Sequence, residues 1–158
     1  MTTIDQVELT VKDITLRAVS GIQLPISNEQ AGAGVYVHVP FCHHRCAYCD
    51  FNIYANRPAQ HEVYVRAVAE EMAGTAARVG RVRVPTIYFG GGTPSLLAAE
   101  LIGGLLTTLH AFFEVADDAE ITLELNPLAD RARSIDYLTR LRSLGVNRLS
   151  LGVQSSHA

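Results

Sequence analysis

The feature that most constrains this chain is an alternation of strand-like and helix-like segments, which begins at Val35 and continues to the end of the sequence. Strands are predicted at residues 35–39, 86–89, 120–125 and 148–153, and helices at residues 58–78, 97–113 and 137–144. Strands separated by helices of this length need right-handed βαβ crossovers, which produce a parallel sheet. The sequence therefore predicts an α/β fold with three β/α units and a fourth strand.

The first part of the chain follows a different pattern. Val7, Leu9 and Val11 alternate with polar residues, as in a short strand, and a stretch rich in proline, asparagine and glycine comes later. We predict that residues 1–34 form an N-terminal appendage and linker, and that residues 35–158 form the main domain.

Composition argues against several classes of function. The 158 residues carry a net charge of −3, so the chain lacks the excess of positive charge that is typical of nucleic-acid-binding proteins. No apolar run is long enough to cross a bilayer, and the N-terminus lacks the charged and apolar regions of a secretion signal. We predict a protein with no nucleic-acid partner and no membrane span, located in the cytoplasm, where thiols stay reduced.

All three cysteines of the chain, Cys42, Cys46 and Cys49, fall in one short segment directly after the first predicted strand. The spacing C-x3-C-x2-C brings three soft thiolate ligands together, and such ligands suit zinc or an iron–sulfur cluster. A structural zinc ion normally has four protein ligands. Three thiolates therefore favour a four-iron cluster in which the fourth iron stays open to a small molecule.

Two alternatives to a cluster stay open on the residues alone. His43 or His44 would complete a Cys3His zinc site, although both lie between the first two cysteines and the loop would be cramped. Two of the thiols would otherwise form a disulfide, although an odd number of cysteines leaves one unpaired.

Glycine or polar residues end the other predicted strands. Glycines 90–92 follow the second strand, Glu124 and Asn126 end the third, and Gln154 and Ser155 end the fourth. The carboxyl ends of parallel strands share one edge, so we expect these residues to meet the cysteines there. Bare glycine backbone would let a zwitterionic amino acid approach closely. Simpler interpretations are an ordinary turn for the glycines, a solvated carboxylate for Glu124 and a backbone hydrogen bond for Gln154.

Four motifs occur in the order that is typical of one family. They are VYVHVPFC at residues 35–42, CAYCDFN at residues 46–52, YFGGGTPS at residues 88–95 and LSLGVQS at residues 149–155. Through them the chain resembles the radical S-adenosylmethionine superfamily, in the branch that contains oxygen-independent coproporphyrinogen III oxidase and the heme chaperone HemW. The resemblance implies a parallel-stranded partial TIM barrel, of which this sequence holds about the first three and a half β/α units.

The resemblance also implies a role for each motif. Cys42, Cys46 and Cys49 would hold a four-iron four-sulfur cluster, whose open iron is chelated by the amino and carboxylate groups of S-adenosylmethionine. An electron from the reduced cluster would cleave the sulfonium and give a 5′-deoxyadenosyl radical. The other residues implied to contact S-adenosylmethionine are Tyr36 and Tyr48 beside it, Gly91, Gly92 and Thr93 at its methionyl end, and Glu124 and Gln154 at its methionyl and ribose groups.

The residue at position 51 bears on the subfamily. By resemblance, the porphyrinogen oxidase has a fourth cysteine two residues after the third, where this sequence has Phe51. Phenylalanine favours the HemW-like type, a carrier whose implied partners are heme, a heme-acceptor protein and a reduced flavodoxin or ferredoxin-type electron donor. The alternatives are the oxidase, acting on a porphyrinogen, and a non-catalytic metal-binding fragment. The six histidines are predicted to be surface or packing residues, with His43 and His44 as the exceptions that could reach heme.

The resemblance extends from about Val35 to Ser155, whereas the family core usually has six β/α units. An arginine and an aspartate that complete the adenosyl site on later strands have no counterpart in this sequence. We therefore expect an open sheet edge after the fourth strand, and we hypothesise a truncated or split product with weak or absent activity on its own. Melting of the purified chain as a compact monomer in one cooperative transition would contradict this hypothesis.

Overall fold

The structure, a computed structural model, describes residues 32–127 and 131–155. The strands are β1 (Val35–Val39), β2 (Phe41–Cys42), β3 (Tyr54–Ala55), β4 (Arg83–Gly91), β5 (Glu114–Leu125) and β6 (Arg148–Leu151). The helices are α1 (His61–Val79), α2 (Ala99–Phe112) and α3 (Arg131–Ser143), with 3-10 turns at Pro58–Gln60 and Pro94–Leu96. The main sheet is parallel, in the spatial order β1-β4-β5-β6, and β2 pairs with β3 in a small second sheet. The predicted α/β fold with a parallel sheet is confirmed.

The two faces of the main sheet differ in character because successive side chains point to opposite faces. On one face the register aligns Val37 with Phe89 and Phe89 with Leu123, and all three side chains are buried. On the other face Tyr36 is aligned with Tyr88. The sheet therefore has an apolar face that carries the core and a polar face that reaches the candidate site.

The helices supply the other half of the core. Ile102, Leu105 and Leu109 of α2 recur at helical spacing and are fully buried, and α1 adds Val65 and Met72. Burial of each such large apolar side chain contributes roughly 1.5–3 kcal/mol before entropy costs are counted. This packing makes the sheet a rigid support for the residues at its edge.

Polar contacts connect α3 to α2 and to Leu97, which precedes α2, and Leu141 of α3 is buried in the core. The Tyr137 hydroxyl donates a hydrogen bond to the Leu97 carbonyl at 3.0 Å, and Arg140 pairs with Glu100 at 3.1 Å. The ion pair is largely exposed, so it contributes little to stability. After α3 the chain turns at Gly145, whose φ of +111° lies in the left-handed region that favours glycine at the end of a helix.

Two strands extend further than the sequence pattern predicts. β4 begins at Arg83 and β5 at Glu114, and these two residues are aligned in the sheet. The register shifts near Pro85, which lacks the amide proton that a regular ladder needs. The added part of β5 pairs with β4 only at Glu114 and Val115, and Asp117 and Asp118 lie in the irregular stretch between the two paired parts of the strand.

The small β2/β3 sheet was not predicted, because strands of two residues show no periodicity. The predicted strand around Val7 to Val11 lies outside the described residues. No helix in the described part of the chain has the length and apolar character needed to span a membrane.

Candidate functional site

The carboxyl-end edge of the main sheet borders a pocket of about 320 Å³, which we call the strand-end pocket. Its walls come from the cysteine loop (residues 42–53), the glycine turn (residues 91–93), the end of β5 (residues 124–126) and the segment at the end of β6 (residues 150–154). Ligands of open α/β sheets bind at this edge. The structure therefore brings most of the residues that end the predicted strands to one cavity, namely Gly91, Gly92, Glu124, Asn126 and Gln154.

The cysteine loop is anchored at both ends. Phe41 precedes the loop and is fully buried, and Ile53 at its other end is only 8% exposed. The Tyr54 amide donates to the Pro40 carbonyl at 2.7 Å, which ties the end of the loop to its beginning. The loop therefore leaves the core at Phe41 and returns to it at Ile53, and the three cysteines between these residues are partly buried.

All three thiols line the strand-end pocket and are partly buried. The Cys49 amide donates to the Cys46 carbonyl at 3.1 Å in a tight turn, and Cys42 Sγ lies 3.6 Å from Thr93 Oγ1. Among the described residues, no three His, Cys, Asp or Glu side chains are arranged to hold one metal ion. A cluster binds each thiolate to a different iron, so its ligands need not converge on a single point. Three soft thiolates on one loop are a donor set that fits an iron–sulfur cluster.

The glycine turn passes close to the cysteine loop. A Cβ atom on Gly92 would lie 2.6 Å from the Phe41 carbonyl oxygen and 3.0 Å from Cys42 Sγ. Gly91 has a φ of +111°, and a Cβ atom there would lie 2.7 Å from the His38 ring. Both positions therefore need glycine, one for space and the other for space and backbone conformation.

Two donors from β4 hold the carboxylate of Glu124. The Tyr88 hydroxyl donates to Oε1 at 2.6 Å, and the Gly91 amide donates to Oε2 at 3.2 Å. The hydrogen bond to Glu124 is the largest cause of the raised pKa of the Tyr88 phenol, followed by burial. A carboxylate has about four lone-pair sites, so Glu124 can accept further hydrogen bonds from a ligand in the pocket.

Tyr36 and Tyr48 lie in different surroundings. Tyr48 lines the pocket and is 73% exposed, and its pKa is raised chiefly by a hydrogen bond with Cys46. Tyr36 does not line the pocket but stacks on Tyr88, with ring centroids 6.0 Å apart. Burial, followed by the charge of Glu124, raises the pKa of Tyr36. Tyr36 therefore lies outside the pocket lining, and Tyr88 connects it to Glu124.

Thr93 joins two walls of the pocket. Its hydroxyl lies near Cys42 and accepts a hydrogen bond from Asn126 Nδ2 at 3.4 Å. On the opposite wall Gln154 has a φ of +64°, and its Nε2 lies 3.2 Å from the place a Cβ atom of Gly152 would occupy. The side-chain amide of Gln154 therefore folds back toward Gly152, and Gln154 still lines the pocket.

Of the residues that the sequence predicted for the site, Tyr36, Gly90 and Ser155 do not line the pocket, and the others do. Sequence reasoning gave no site role to Tyr88, which hydrogen-bonds with Glu124 but does not line the pocket, or to Ser150, which lines the pocket and hydrogen-bonds with Tyr88. The available signal was strand alternation: Tyr88 shares a sheet face with Tyr36, and Ser150 is aligned with Glu124.

Comparisons with known proteins agree with this fold. The sequence model described as "Radical SAM superfamily" matches residues 36–158. The chain is 38% identical, over 151 residues, to radical S-adenosyl methionine domain-containing protein 1, mitochondrial, of Danio rerio, which covers 94% of this chain and 32% of that protein. It is 42% identical, over 127 residues, to the heme chaperone HemW of Mycobacterium tuberculosis, with coverage of 77% and 31%.

Among solved structures, coproporphyrinogen III oxidase (HemN) from Escherichia coli, a radical SAM enzyme, matches with a TM-score of 0.71 and 34% identity. The match covers 78% of this chain and 28% of that chain. This chain thus spans about a third of the length of the curated relatives it matches. The family model covers well over half of the chain and the parallel α/β fold agrees with it, and on these grounds the chain belongs to the radical S-adenosylmethionine superfamily.

Proposed function

We propose that this chain carries the cluster site and much of the S-adenosylmethionine site of a HemW-like radical S-adenosylmethionine protein with a role in heme trafficking. The observation that carries the proposal is the strand-end pocket, which is lined by three thiols, a glycine turn, Glu124 and Gln154. Superfamily membership supports use of S-adenosylmethionine and an iron–sulfur cluster. Similarity to HemW supports the link to heme.

In this proposal Cys42, Cys46 and Cys49 hold a four-iron four-sulfur cluster with one iron open. The bound cluster, once reduced, supplies the electron that cleaves S-adenosylmethionine. The glycine turn keeps the backbone close to Cys42, because a Cβ atom on Gly92 would meet that thiol. The cysteine loop and the glycine turn therefore pack together and support the cluster as one unit.

The remaining pocket residues bind and orient S-adenosylmethionine. Glu124, fixed by Tyr88, accepts hydrogen bonds from the ammonium group or from ribose hydroxyls. Gln154 both donates and accepts at the opposite wall. Gly91, Gly92 and Thr93 lie toward the methionyl end, and Tyr48 lies beside the bound molecule. Tyr36, which stacks on Tyr88 and does not line the pocket, is proposed to lie beside it on the β1 side.

Phe51 favours the heme-chaperone type over the oxidase. Its side chain is 60% exposed and lines the pocket at the position where the oxidase type has a fourth cysteine. The second candidate function, oxidation of a porphyrinogen, is supported by the structural match to HemN. For either function we propose a reduced flavodoxin or ferredoxin-type electron donor, and for the chaperone a heme-acceptor protein, in a compartment that keeps the thiols reduced.

Metal analysis after anaerobic reconstitution with iron and sulfide tests the cluster. We expect about four iron atoms and about four sulfide ions per chain, as in a four-iron cluster. Cys42→Ala should lose most of the iron, whereas the paired substitution of His43 and His44 by alanine should retain it. Zinc as the bound metal, or iron that survives loss of Cys42, would overturn the proposed site.

Two assays on the loaded chain distinguish the functions. Heme titration followed by absorbance tests the chaperone type, and product analysis with coproporphyrinogen III, a reductant and S-adenosylmethionine tests the oxidase type. We expect saturable heme binding and no oxidised porphyrinogen product. Turnover of coproporphyrinogen III without heme binding would replace the first function by the second.

A further inference from the structure

The side chain of Arg45 makes contacts that the proposed function does not use. It folds back over the segment after the third cysteine, where Nη1 donates to the Cys49 carbonyl at 3.2 Å and Nη2 donates to the Phe51 carbonyl at 3.5 Å. This segment belongs to no helix or strand. One guanidinium thus bridges two carbonyls of an otherwise irregular part of the cysteine loop.

These contacts span the turn that carries two of the thiols. Arg45 immediately precedes Cys46, and the Cys49 amide bonds back to the Cys46 carbonyl at 3.1 Å. The bond from Arg45 to the Cys49 carbonyl therefore closes a second ring across the same turn. A guanidinium has a planar fork of donors that reaches two acceptors at once, which the single ammonium of lysine does not reproduce.

A second side chain, that of His38, contacts the far end of the same segment. His38 Nε2 donates to the Asn52 carbonyl at 3.2 Å, because a carbonyl can only accept. Arg45 and His38 therefore hold the segment from two directions, one from inside the loop and one from β1. Of the two, only Arg45 acts across the turn between Cys46 and Cys49.

Arg45 also brings the only lysine or arginine charge of the cysteine loop. Three thiolates and a reduced cluster concentrate negative charge in that loop. A fixed positive charge stabilises the more negative, reduced state of a cluster and so raises its reduction potential. The same residue therefore has a geometric effect and an electrostatic effect that different substitutions separate.

We propose that Arg45 is a positioning residue for the cluster: it sets the spacing of Cys46 and Cys49 through the loop backbone, and its charge raises the reduction potential. This inference rests on the proposed function, because it requires a cluster on the three cysteines. Residues around a metal site that do not bind the metal commonly change its affinity by about 10–100-fold.

The test compares Arg45→Gln and Arg45→Lys with the wild-type chain after reconstitution. Arg66→Gln, at an exposed position on α1, is the matched control for loss of an arginine. Iron release to a chelator and the midpoint potential from a spectroscopic redox titration are the two measurements. We expect Arg45→Gln to release iron about tenfold faster and to have a lower potential. Arg45→Lys should release iron faster but keep a potential near that of the wild type.

Each outcome decides a different claim. Equal release rates and potentials in Arg45→Gln, the wild type and Arg66→Gln would overturn the inference and leave the proposed function intact. A wild-type chain that takes up no cluster would overturn the proposed function and this inference with it. If Arg45→Gln does not fold, Arg45→Lys is decisive. Iron release from Arg45→Lys at the wild-type rate would show that the guanidinium of Arg45 does not position the cysteines.

Discussion

The hydroxyl of Tyr88 and the carboxylate of Glu124 are joined by a hydrogen bond of 2.6 Å between neighbouring strands β4 and β5. Gly91 donates to the other oxygen of the same carboxylate, so both oxygens of Glu124 are oriented by β4. The orientation of Glu124 therefore depends on Tyr88, a strand residue to which the sequence motifs assigned no role. This relationship predicts how the pocket responds when Tyr88 changes.

Tyr88→Phe should weaken binding of S-adenosylmethionine to the loaded chain by about fivefold. The substitution removes one donor to Glu124, and a net hydrogen bond contributes about 1 kcal/mol. Calorimetric titration measures the change. Tyr137→Phe is the control, because its hydroxyl bonds the Leu97 carbonyl and lines no part of the pocket. Equal affinities for Tyr88→Phe and the wild type would show that the Tyr88 bond does not orient Glu124.

Gly92→Ala should reduce the iron content of the reconstituted chain. The added Cβ atom would lie 2.6 Å from the Phe41 carbonyl oxygen, so the glycine turn and the cysteine loop must separate. Gly104→Ala is the matched control, because a Cβ atom there meets nothing within 4 Å on an exposed part of α2. It should stabilise the helix by up to about 1 kcal/mol and leave iron binding unchanged. Full iron loading of Gly92→Ala would contradict the close approach of the two segments.

Tyr64 should make the fold sensitive to alkaline pH. Its hydroxyl donates to the His38 carbonyl, and burial raises its pKa above the ordinary value of 10.0. The unfolded chain ionises this phenol first, so the stabilising contribution is complete below about pH 10 and is lost as pH rises from there toward the folded pKa.

Urea unfolding of the wild type and Tyr64→Phe at several pH values measures this contribution. Below about pH 9 the variant should be less stable by about 1 kcal/mol, because it lacks the hydrogen bond. The difference should shrink as pH rises above about 10, because only the wild type loses stability through Tyr64. A difference that stays constant with pH would contradict the buried, protonated state of this phenol.

Asn147 should stabilise the connection between α3 and β6. Its Nδ2 donates to the Ala119 carbonyl and its Oδ1 accepts from the Ile121 amide, both at 2.8 Å. Asn147→Ala should lower the free energy of unfolding by about 1–2 kcal/mol. Thermal unfolding of Asn147→Ala and the wild type measures this loss, and equal stabilities would mean that the two side-chain hydrogen bonds contribute nothing.

The order of strands and helices was predictable because each long element leaves a period in the sequence. Leu105 and Leu109 mark α2, and the alternation of Val35, Val37 and Val39 marks β1. The length of β5 was not predictable, because the beginning of the strand shows no apolar alternation and its first two residues, Glu114 and Val115, are paired with Arg83 and Val84 of β4. Local residue preference carries no information about such a partner.

The candidate site was predictable where the chemistry lies in one short segment or at a strand end. The three cysteines and Glu124 are of this kind. Tyr88 was missed because its role depends on a hydrogen bond to a neighbouring strand, and the contacts of Arg45 were missed because they depend on how the loop folds back. Neither geometry follows from spacing along the chain.

The most direct test of the central claim is electron paramagnetic resonance of the reconstituted, reduced chain with and without S-adenosylmethionine. We predict the spectrum of a four-iron cluster that shifts when S-adenosylmethionine is added, and a weaker shift at the same concentration in Glu124→Gln, because amide replaces carboxylate at a ligand-binding position. A spectrum that is indifferent to S-adenosylmethionine, or a chain that binds zinc and no iron, would contradict an open iron beside the strand-end pocket.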